Sequence, residues 1–366
     1  MDRRSFLKTL GAAAGASIIA KPVFVHAKRR IRWRMVTSWP KSLDVLFGTA
    51  QLIAQKVREM TDGLFDIRVY AAGEIVPGLK VFDAVAEGAV PIGHTALYYY
   101  TGKHEALAFA CGVPFGFTYR AQNAWLYTSQ GGKLLNKLFD DFGFLGFPAG
   151  NTGVQMGGWF RKPVRSLEDL KGLRFRIPGL GGKVMARLGV SVQLLAGGDI
   201  YPALERGAID ATEWIGPYDD EKLGFYKIAK YYYYPGWWEP GSTLHLMVSK
   251  KAWEKLPKEY QEALKNASAI ANQEMILAYD AKNPEALKRL LKHGVKLRKF
   301  PDDVMKAAEK EAFSLYDELA EKDKLYKAIY EDWMKFRKDI GSWFGTAELS
   351  MNEYIFGQKL RGNNTK

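Results

Sequence analysis

The segment Leu173-Arg174-Phe175-Arg176-Ile177-Pro178-Gly179 is the part of this sequence best suited to holding an anion. Leu173, Phe175 and Ile177 alternate with Arg174 and Arg176, the period-two pattern of a strand with one apolar and one cationic face. Pro178 ends the strand just after Arg176, which predicts a guanidinium at the strand's carboxyl end, where open α/β sheets bind ligands. A guanidinium offers a planar donor fork that matches a carboxylate bidentately; a surface arginine in an ordinary salt bridge is the competing reading. Glu213 stands beside Trp214, and Glu239 beside Trp238. Two carboxylates converging near an anion-binding arginine would repel a ligand unless a cation sat between them. Hard cations such as calcium or sodium take carboxylate, amide and backbone oxygens, and Gln155 supplies an amide oxygen. The alternative is that these glutamates are simply solvated.

Catalytic signatures are absent: the sequence has no His-Glu-x-x-His, no paired cysteines, no Gly-x-Ser-x-Gly elbow and no phosphate loop. Apart from His26 near the amino terminus, the histidines are His94, His104, His245 and His293, none at metal-ligand or nucleophile-base spacing. An exported hydrolase or lyase would need a general acid-base pair, for which His94 with Glu213 is the sole candidate. The run Gly179-Leu180-Gly181-Gly182 lacks the later glycine of a dinucleotide fingerprint. These observations point to a binding protein rather than an enzyme.

The surrounding pattern predicts the elements that must position these side chains. Ile31, Trp33 and Met35 alternate with arginines as a strand, and Ser42 is expected to cap a helix with the stripe Leu46, Ala50, Ile53, Val57 and Met60. Phe65, Ile67 and Val69 alternate again, making a strand-helix-strand unit and hence a parallel sheet. An internal repeat follows. VFDAVAEGAVPIGHTALYY from Val81 aligns with IYPALERGAIDATEWIGPY from Ile200, each a short helix closed by Gly88 or Gly207 and followed by a strand. Similar turns precede both, at Ala71 and Ala196. Two lobes built on one plan are predicted, with His94 to Tyr100 facing Glu213 and Trp214 across a cleft. The Gly-rich stretches from Gly150 and from Pro235 read as hinge strands crossing between the lobes.

The fold class expected is therefore α/β, two-lobed, with hinge strands and a long helical C-terminal region. Residues 28–150 form lobe I and 151–239 lobe II; about 240–300 completes lobe I, and 301–366 forms C-terminal helices and a tail. Leu325, Ile329, Trp333, Phe336, Ile340 and Trp343 make a helical stripe that packs on the protein's own lobes. Phe344, Leu349, Met351, Tyr354, Ile355 and Phe356 are harder to bury on the same chain and suggest a dimer contact.

At the other end, Arg3 and Arg4 precede Phe6-Leu7 and a weakly apolar Ala/Gly-rich run ending in Val25-His26-Ala27. That is a twin-arginine export signal, residues 1–27, with cleavage expected after Ala27; the apolar run is too short for a permanent anchor. The net charge of the whole chain is +13, but its cations are scattered among 40 acids. No motif interleaves them with stacking aromatics, so nucleic acid is not an expected partner. Cys111, the only cysteine, sits among Ala108, Phe109, Ala110 and Val113 and reads as core.

KGLRFRIPG from Lys171, ALERGAIDATEW from Ala203 and the repeat partner VFDAVAEGAV together resemble the periplasmic solute-binding subunits of tripartite ATP-independent (TRAP) transporters. The resemblance covers essentially the whole mature length. NTGVQMGGWF, DATEW and WWEPGSTLH fit the twin-arginine-exported branch that binds 2-oxo acids and lactate. It implies a two-lobe periplasmic binding protein in which Arg176 clamps a ligand carboxylate. Gln155, Glu213, the backbone oxygen of Trp214 and Glu239 would hold a cation, calcium or alternatively sodium, that the ligand also touches. Tyr100 and Asn151 would complete the pocket. The resemblance also implies integral-membrane TRAP subunits as partners for a small monocarboxylate such as pyruvate or lactate, and a homodimer through swapped C-terminal helices. A ligand-sensing partner of a membrane receptor would use the same pocket.

Overall fold

The computed structural model describes residues 30–362, with side chains through Gly357; the expected export signal lies outside the described residues. Strand β1 (Ile31–Thr37) is followed by helix α1 (Leu46–Met60) and the parallel strand β2 (Phe65–Tyr70). On α1, Leu46, Ala50, Ile53 and Val57 are buried as the stripe predicts, each of the larger side chains contributing about 1.5–3 kcal/mol, while Met60 is exposed. Ser42 is not its cap. The N-cap is Val45, with no side-chain cap bond, because backbone turns supply the acceptors: Phe47 N–H donates to Leu43 O and Thr49 N–H to Val45 O.

Helix α2 (Val81–Ala86) leads to β3 (Ile92–Thr95), a 3-10 turn at Leu97–Tyr100, and helices α3 (Leu107–Cys111), α4 (Tyr119–Thr128) and α5 (Gln130–Asp141). Strand β4 (Phe144–Asn151) ends at a connector, 152–158, which enters β5 (Trp159–Phe160). There follow β6 (Arg174–Arg176), α6 (Gly179–Arg187), β7 (Ser191–Gln193), α7 (Gly197–Glu205), β8 (Ala211–Thr212), α8 (Pro217–Leu223) and β9 (Tyr231–Tyr234). A second connector, 235–242, returns the chain to β10 (Thr243–Ser249). The last third is α9 (Lys258–Lys292), β11 (Lys296–Lys299), α10 (Asp302–Lys322), α11 (Lys324–Phe344) and α12 (Ser350–Gly362).

Two sheets result, in the orders β2-β1-β3-β10-β4 and β11-β9-β5-β8-β6-β7. The two repeat units end in β3 of the first sheet and β8 of the second, with Gly88 and Gly207 both at positive φ where their helices stop. Both connectors run between the sheets. At Gly158 the first connector comes so close to β8 that a Cβ would lie 2.4 Å from Thr212 O, and φ there is +79°, so only glycine fits. The stretch 240–300, expected to complete lobe I, divides instead. β10 and Ala263, Leu264, Ala267 and Ala271 of α9 pack with the first sheet, but β11 pairs in parallel with β9 of the second.

The C-terminal helices bind both lobes. Asp332 Oδ2 of α11 accepts Trp125 Nε1 and Gly131 N–H, each at 2.9 Å, while Glu318 of α10 pairs with Arg187 of α6. Ile329 and Trp333 are buried and Leu325, Phe336 and Ile340 pack against the core, whereas Trp343, Leu349, Met351, Tyr354, Ile355 and Phe356 are exposed. Phe344 is half-buried under the Arg120 guanidinium, 5.1 Å from its ring centre. Cys111 is fully buried. Among the described residues no helix is long and apolar enough to cross a membrane.

Candidate functional site

The carboxyl ends of β1, β3, β6 and β8 and the two connectors converge between the sheets. Their side chains enclose a small cavity of about 10 Å³, room for about one water molecule. Arg176, Gln155, Trp214, Tyr98 and Tyr99 form its polar side; Trp39, Leu46, Ile215 and Leu244 form its apolar side. Roomier hollows on the outer surface are lined by no buried Arg, Asp or Glu. The run Gly179-Leu180-Gly181-Gly182 opens α6 beneath the cavity; a Cβ on Gly181 would stand 2.7 Å from Trp238 Cβ, so that glycine serves packing rather than a cofactor.

Arg174 and Arg176 share a strand face, yet their surroundings differ. Arg174 is half exposed and pairs with Asp210, while Arg176 is only 1% exposed. Arg176 Nε and Nη2 both donate to Leu195 O at 3.0 Å, and Nη1 donates to Glu213 O at 3.3 Å and to the Glu213 carboxylate. Its guanidinium lies 5.2 Å from the centre of the Trp214 ring, a cation–π contact. Burial works against the Arg176 charge, but Glu213 and Tyr99 more than offset it and its pKa is raised.

Glu213 is completely buried, and burial together with the Glu239 charge pushes its pKa well above the carboxylate range despite Arg176. Glu239, 3% exposed, accepts from Tyr98 Oη at 3.1 Å and Ser242 Oγ at 2.8 Å. Burial raises its pKa to about 7. Behind this wall Asp220 accepts from Ile215 N–H at 3.2 Å, Trp159 Nε1 at 2.9 Å and Tyr232 Oη at 2.7 Å, holding the segment that carries Glu213 and Trp214.

The residues present fit a hard cation. Gln155 Nε2 donates to Thr152 Oγ1 at 3.1 Å and Ser242 Oγ at 3.4 Å, which leaves Gln155 Oε1 buried without a donor. Glu213 Oε2 is buried without a donor as well. Each such orphan acceptor costs about 1–3 kcal/mol, and oxygens lacking donors are what a hard cation coordinates. No group of three or more His, Cys, Asp or Glu that could hold a metal occurs among the described residues. Two carboxylates, an amide and backbone carbonyls are the available donors, a set suited to calcium or sodium rather than to softer metals.

Of the residues expected at the site, Arg176, Gln155 and Trp214 line the cavity and Glu213 and Glu239 stand in its wall, whereas Tyr100 and Asn151 lie elsewhere. The tight 3-10 turn rotates Tyr100 away: its hydroxyl bonds Thr95 Oγ1 at 3.1 Å and its ring packs on Phe82, 4.9 Å between centres. Tyr98 and Tyr99 face the cavity in its place. Asn151 Nδ2 donates to Gly241 O and Thr243 Oγ1, both at 3.0 Å, and its Oδ1 accepts Gly153 N–H, so it ties the two connectors together. His94 does not reach Glu213. Its Nδ1 accepts Trp39 Nε1 at 2.7 Å, its Nε2 donates to Ala149 O at 3.0 Å, and burial lowers its pKa to about 4. Trp39, just past the carboxyl end of β1, was missed, although the strand-end rule that located Glu213 also covers it.

A two-lobed α/β fold with a small cavity at its connectors and the buried Arg176 guanidinium beside it is the arrangement of a solute-binding protein. The family model described as bacterial extracellular solute-binding protein, family 7 (DctP) matches residues 35–323. A monocarboxylate 2-oxoacid-binding periplasmic protein of a Nostoc species is 52% identical over 360 residues, covering 97% of this chain and 99% of the relative. A TRAP transporter solute-binding protein from Bordetella bronchiseptica superposes with a TM-score of 0.90 at 47% identity, covering 91% of this chain and 99% of that one. Its crystal structure is a mixed-occupancy dimer with copurified calcium and picolinate in one active site and none in the other. A TRAP periplasmic solute-binding protein from Pseudoalteromonas atlantica, with bound sodium and pyruvate, gives 0.86 at 40% identity over 89% of this chain and 99% of that one. This chain belongs to the DctP family of TRAP solute-binding proteins, which serve transport and are not enzymes.

Proposed function

We propose that the protein captures a small 2-oxo or 2-hydroxy monocarboxylate, of the pyruvate or lactate type, together with a hard cation, and delivers it to integral-membrane TRAP subunits. The observation that carries this reading is the buried Arg176 beside the donorless oxygens of Gln155 and Glu213 at a small cavity between the lobes. Arg176 clamps the ligand carboxylate. Gln155, Glu213, the Trp214 carbonyl and Glu239 hold the cation, which supplies positive charge to the ligand's 2-oxygen and carboxylate. Tyr98 and Tyr99 close the pocket, and Asn151 fixes the connectors about which the lobes shut.

Charge balance supports a divalent ion. Once a cation between them favours the ionised form of both carboxylates, Arg176, Glu213 and Glu239 leave one net negative charge in a buried site. Calcium with a monocarboxylate brings the set to neutrality, whereas sodium leaves it one positive charge short, and uncompensated buried charge is costly. Calorimetry with pyruvate, lactate and larger 2-oxo acids, with and without a chelator, tests the proposal. Saturable binding that the chelator weakens is expected; no binding of any of them removes the assignment.

We also propose export by the twin-arginine route with cleavage after Ala27, to be checked by the intact mass of protein from the periplasm. The exposed Trp343, Tyr354 and Phe356 support a homodimer through the C-terminal helices, to be checked by light scattering.

A further inference from the structure

The cavity is reached between two bodies that must stay together while a ligand is held, and one acidic side chain spans them. Asp44 lies between β1 and α1 in the first lobe. Its carboxylate accepts from Tyr218 Oη at 2.9 Å, from Lys282 Nζ at 3.2 Å and from Lys222 Nζ. Tyr218 and Lys222 belong to α8, which follows β8 of the second lobe.

Lys282 belongs with them. Its stretch of α9 is fastened to α8 by Tyr279 Oη donating to Asp219 at 2.9 Å, by Tyr218 N–H donating to Asn283 Oδ1 at 3.0 Å, and by Arg289 pairing with Glu221 at 2.6 Å. Pro284 sits inside α9, where it removes one helical hydrogen bond and weakens the helix locally. The two ammonium groups also flank the Tyr218 ring, 4.5 and 4.7 Å from its centre. Three donors thus form one preassembled socket on the second lobe, and Asp44 is the plug from the first.

The socket grips an ionised carboxylate. Burial alone would raise the Asp44 pKa, but the hydrogen bonds from Lys222, Tyr218 and Lys282 bring it down to about 2. An exposed single ion pair contributes little, and Asp44 is 47% exposed; what sets it apart is convergence of three donors that are already held in place. Leu46, two residues along, lines the cavity, so the clasp closes the same edge of the cleft that the ligand occupies.

We propose that Asp44 is a closure-determining residue: its clasp on Tyr218, Lys222 and Lys282 stabilises the shut form and sets how long a captured ligand stays. The inference rests on the reading of the cavity as a ligand site. Because the clasp ties together lobes that must part before a held ligand can leave, its loss shows first in the rate of escape.

The test is stopped-flow binding of pyruvate in calcium to the full mature chain, comparing wild type with Asp44→Asn and, separately, Lys222→Met. Both substitutions are at partly exposed positions and leave the cavity lining intact. Each should raise the dissociation rate constant about fivefold, the equivalent of a well-formed exposed ion pair, with the association rate constant not lowered. Added salt should speed release from wild type and leave Asp44→Asn nearly unaffected. Equal dissociation rates in wild type and both variants overturn the clasp. If wild type binds none of the acids, the ligand reading has failed instead, and small-angle X-ray scattering of the free proteins decides the clasp. A larger radius of gyration for Asp44→Asn supports it, and superimposable curves overturn it.

Discussion

Arg176 and Glu213 form an ion pair in which the side chains are 1% and 0% exposed, yet only one of the two Glu213 oxygens is used by it. The guanidinium only partly offsets the burial that resists the carboxylate's charge, and the spare oxygen remains for a second positive charge. Removing Arg176 therefore does two things at once. Arg176→Met is expected to abolish monocarboxylate binding and to leave Glu213 buried without compensation, a destabilisation of about 3–5 kcal/mol. The double variant Arg176→Met/Glu213→Gln should recover most of that stability in thermal melts while still failing to bind in calorimetry.

Gln155 permits a cleaner separation. Its Oε1 has no donor in the structure and its Nε2 bonds are to hydroxyls. Gln155→Met deletes the orphan acceptor, so the chelated protein should melt at the same temperature as wild type or slightly above it. Its calcium-dependent affinity for pyruvate should fall at least tenfold, the loss of roughly 1.4 kcal/mol. A site that trades stability for function is expected to show this opposition.

Much of this layout was legible in the sequence, because helix-Gly-strand repeats and a Pro-stopped strand are local patterns. The repeat marked both strand ends, and Phe175 with Pro178 was enough to aim Arg176 at a cleft. What failed was everything decided by a distant partner. His94 is neutral because it is buried and occupied because Trp39 reaches it from 55 positions away in the chain. Residues 296–299 read as a return to lobe I, but their strand joins β9 through a parallel pairing that no local pattern announces. Ser42 looked like a helix cap, and backbone carbonyls did the capping instead. The three consecutive tyrosines were visible; which of them faces inward depends on the rotation of a 3-10 turn, which residue type does not encode.

That rotation gives a discriminating pair of substitutions. Tyr98→Phe removes the hydroxyl that donates to Glu239 and should weaken ligand binding several-fold with little change in melting temperature. Tyr100→Phe removes bonds to Thr95 and to Phe82 N–H inside the first lobe. It should cost about 1 kcal/mol of stability and leave the dissociation constant for pyruvate unchanged. The reverse outcome would place Tyr100, and not Tyr98, at the ligand.

The buried carboxylates also set how stability depends on pH. Burial raises Glu239 and Asp219 to about 7 and Asp220 to about 6. Each binds a proton more tightly folded than unfolded, so its contribution is complete below the unfolded value near 4 and is lost as pH rises through the folded value. His94 and His245 act oppositely: burial lowers them to about 4 and 3, so their contribution is complete above the unfolded value near 6.5 and is lost on acidification. The two sets partly cancel below pH 6.5. Above it the histidines are neutral in both states, and the raised buried carboxylates Glu239, Asp219 and Glu213 still titrate. Chelated protein should therefore lose melting temperature between about pH 6.5 and 8. Calcium should suppress much of that loss, since it favours the ionised Glu239 that the empty site resists, and its binding should release protons near pH 7. Calorimetric melts at pH 6.5 and 8, with chelator and with calcium, check both signs; a chelated protein that grows more stable across this interval would contradict the buried-carboxylate account.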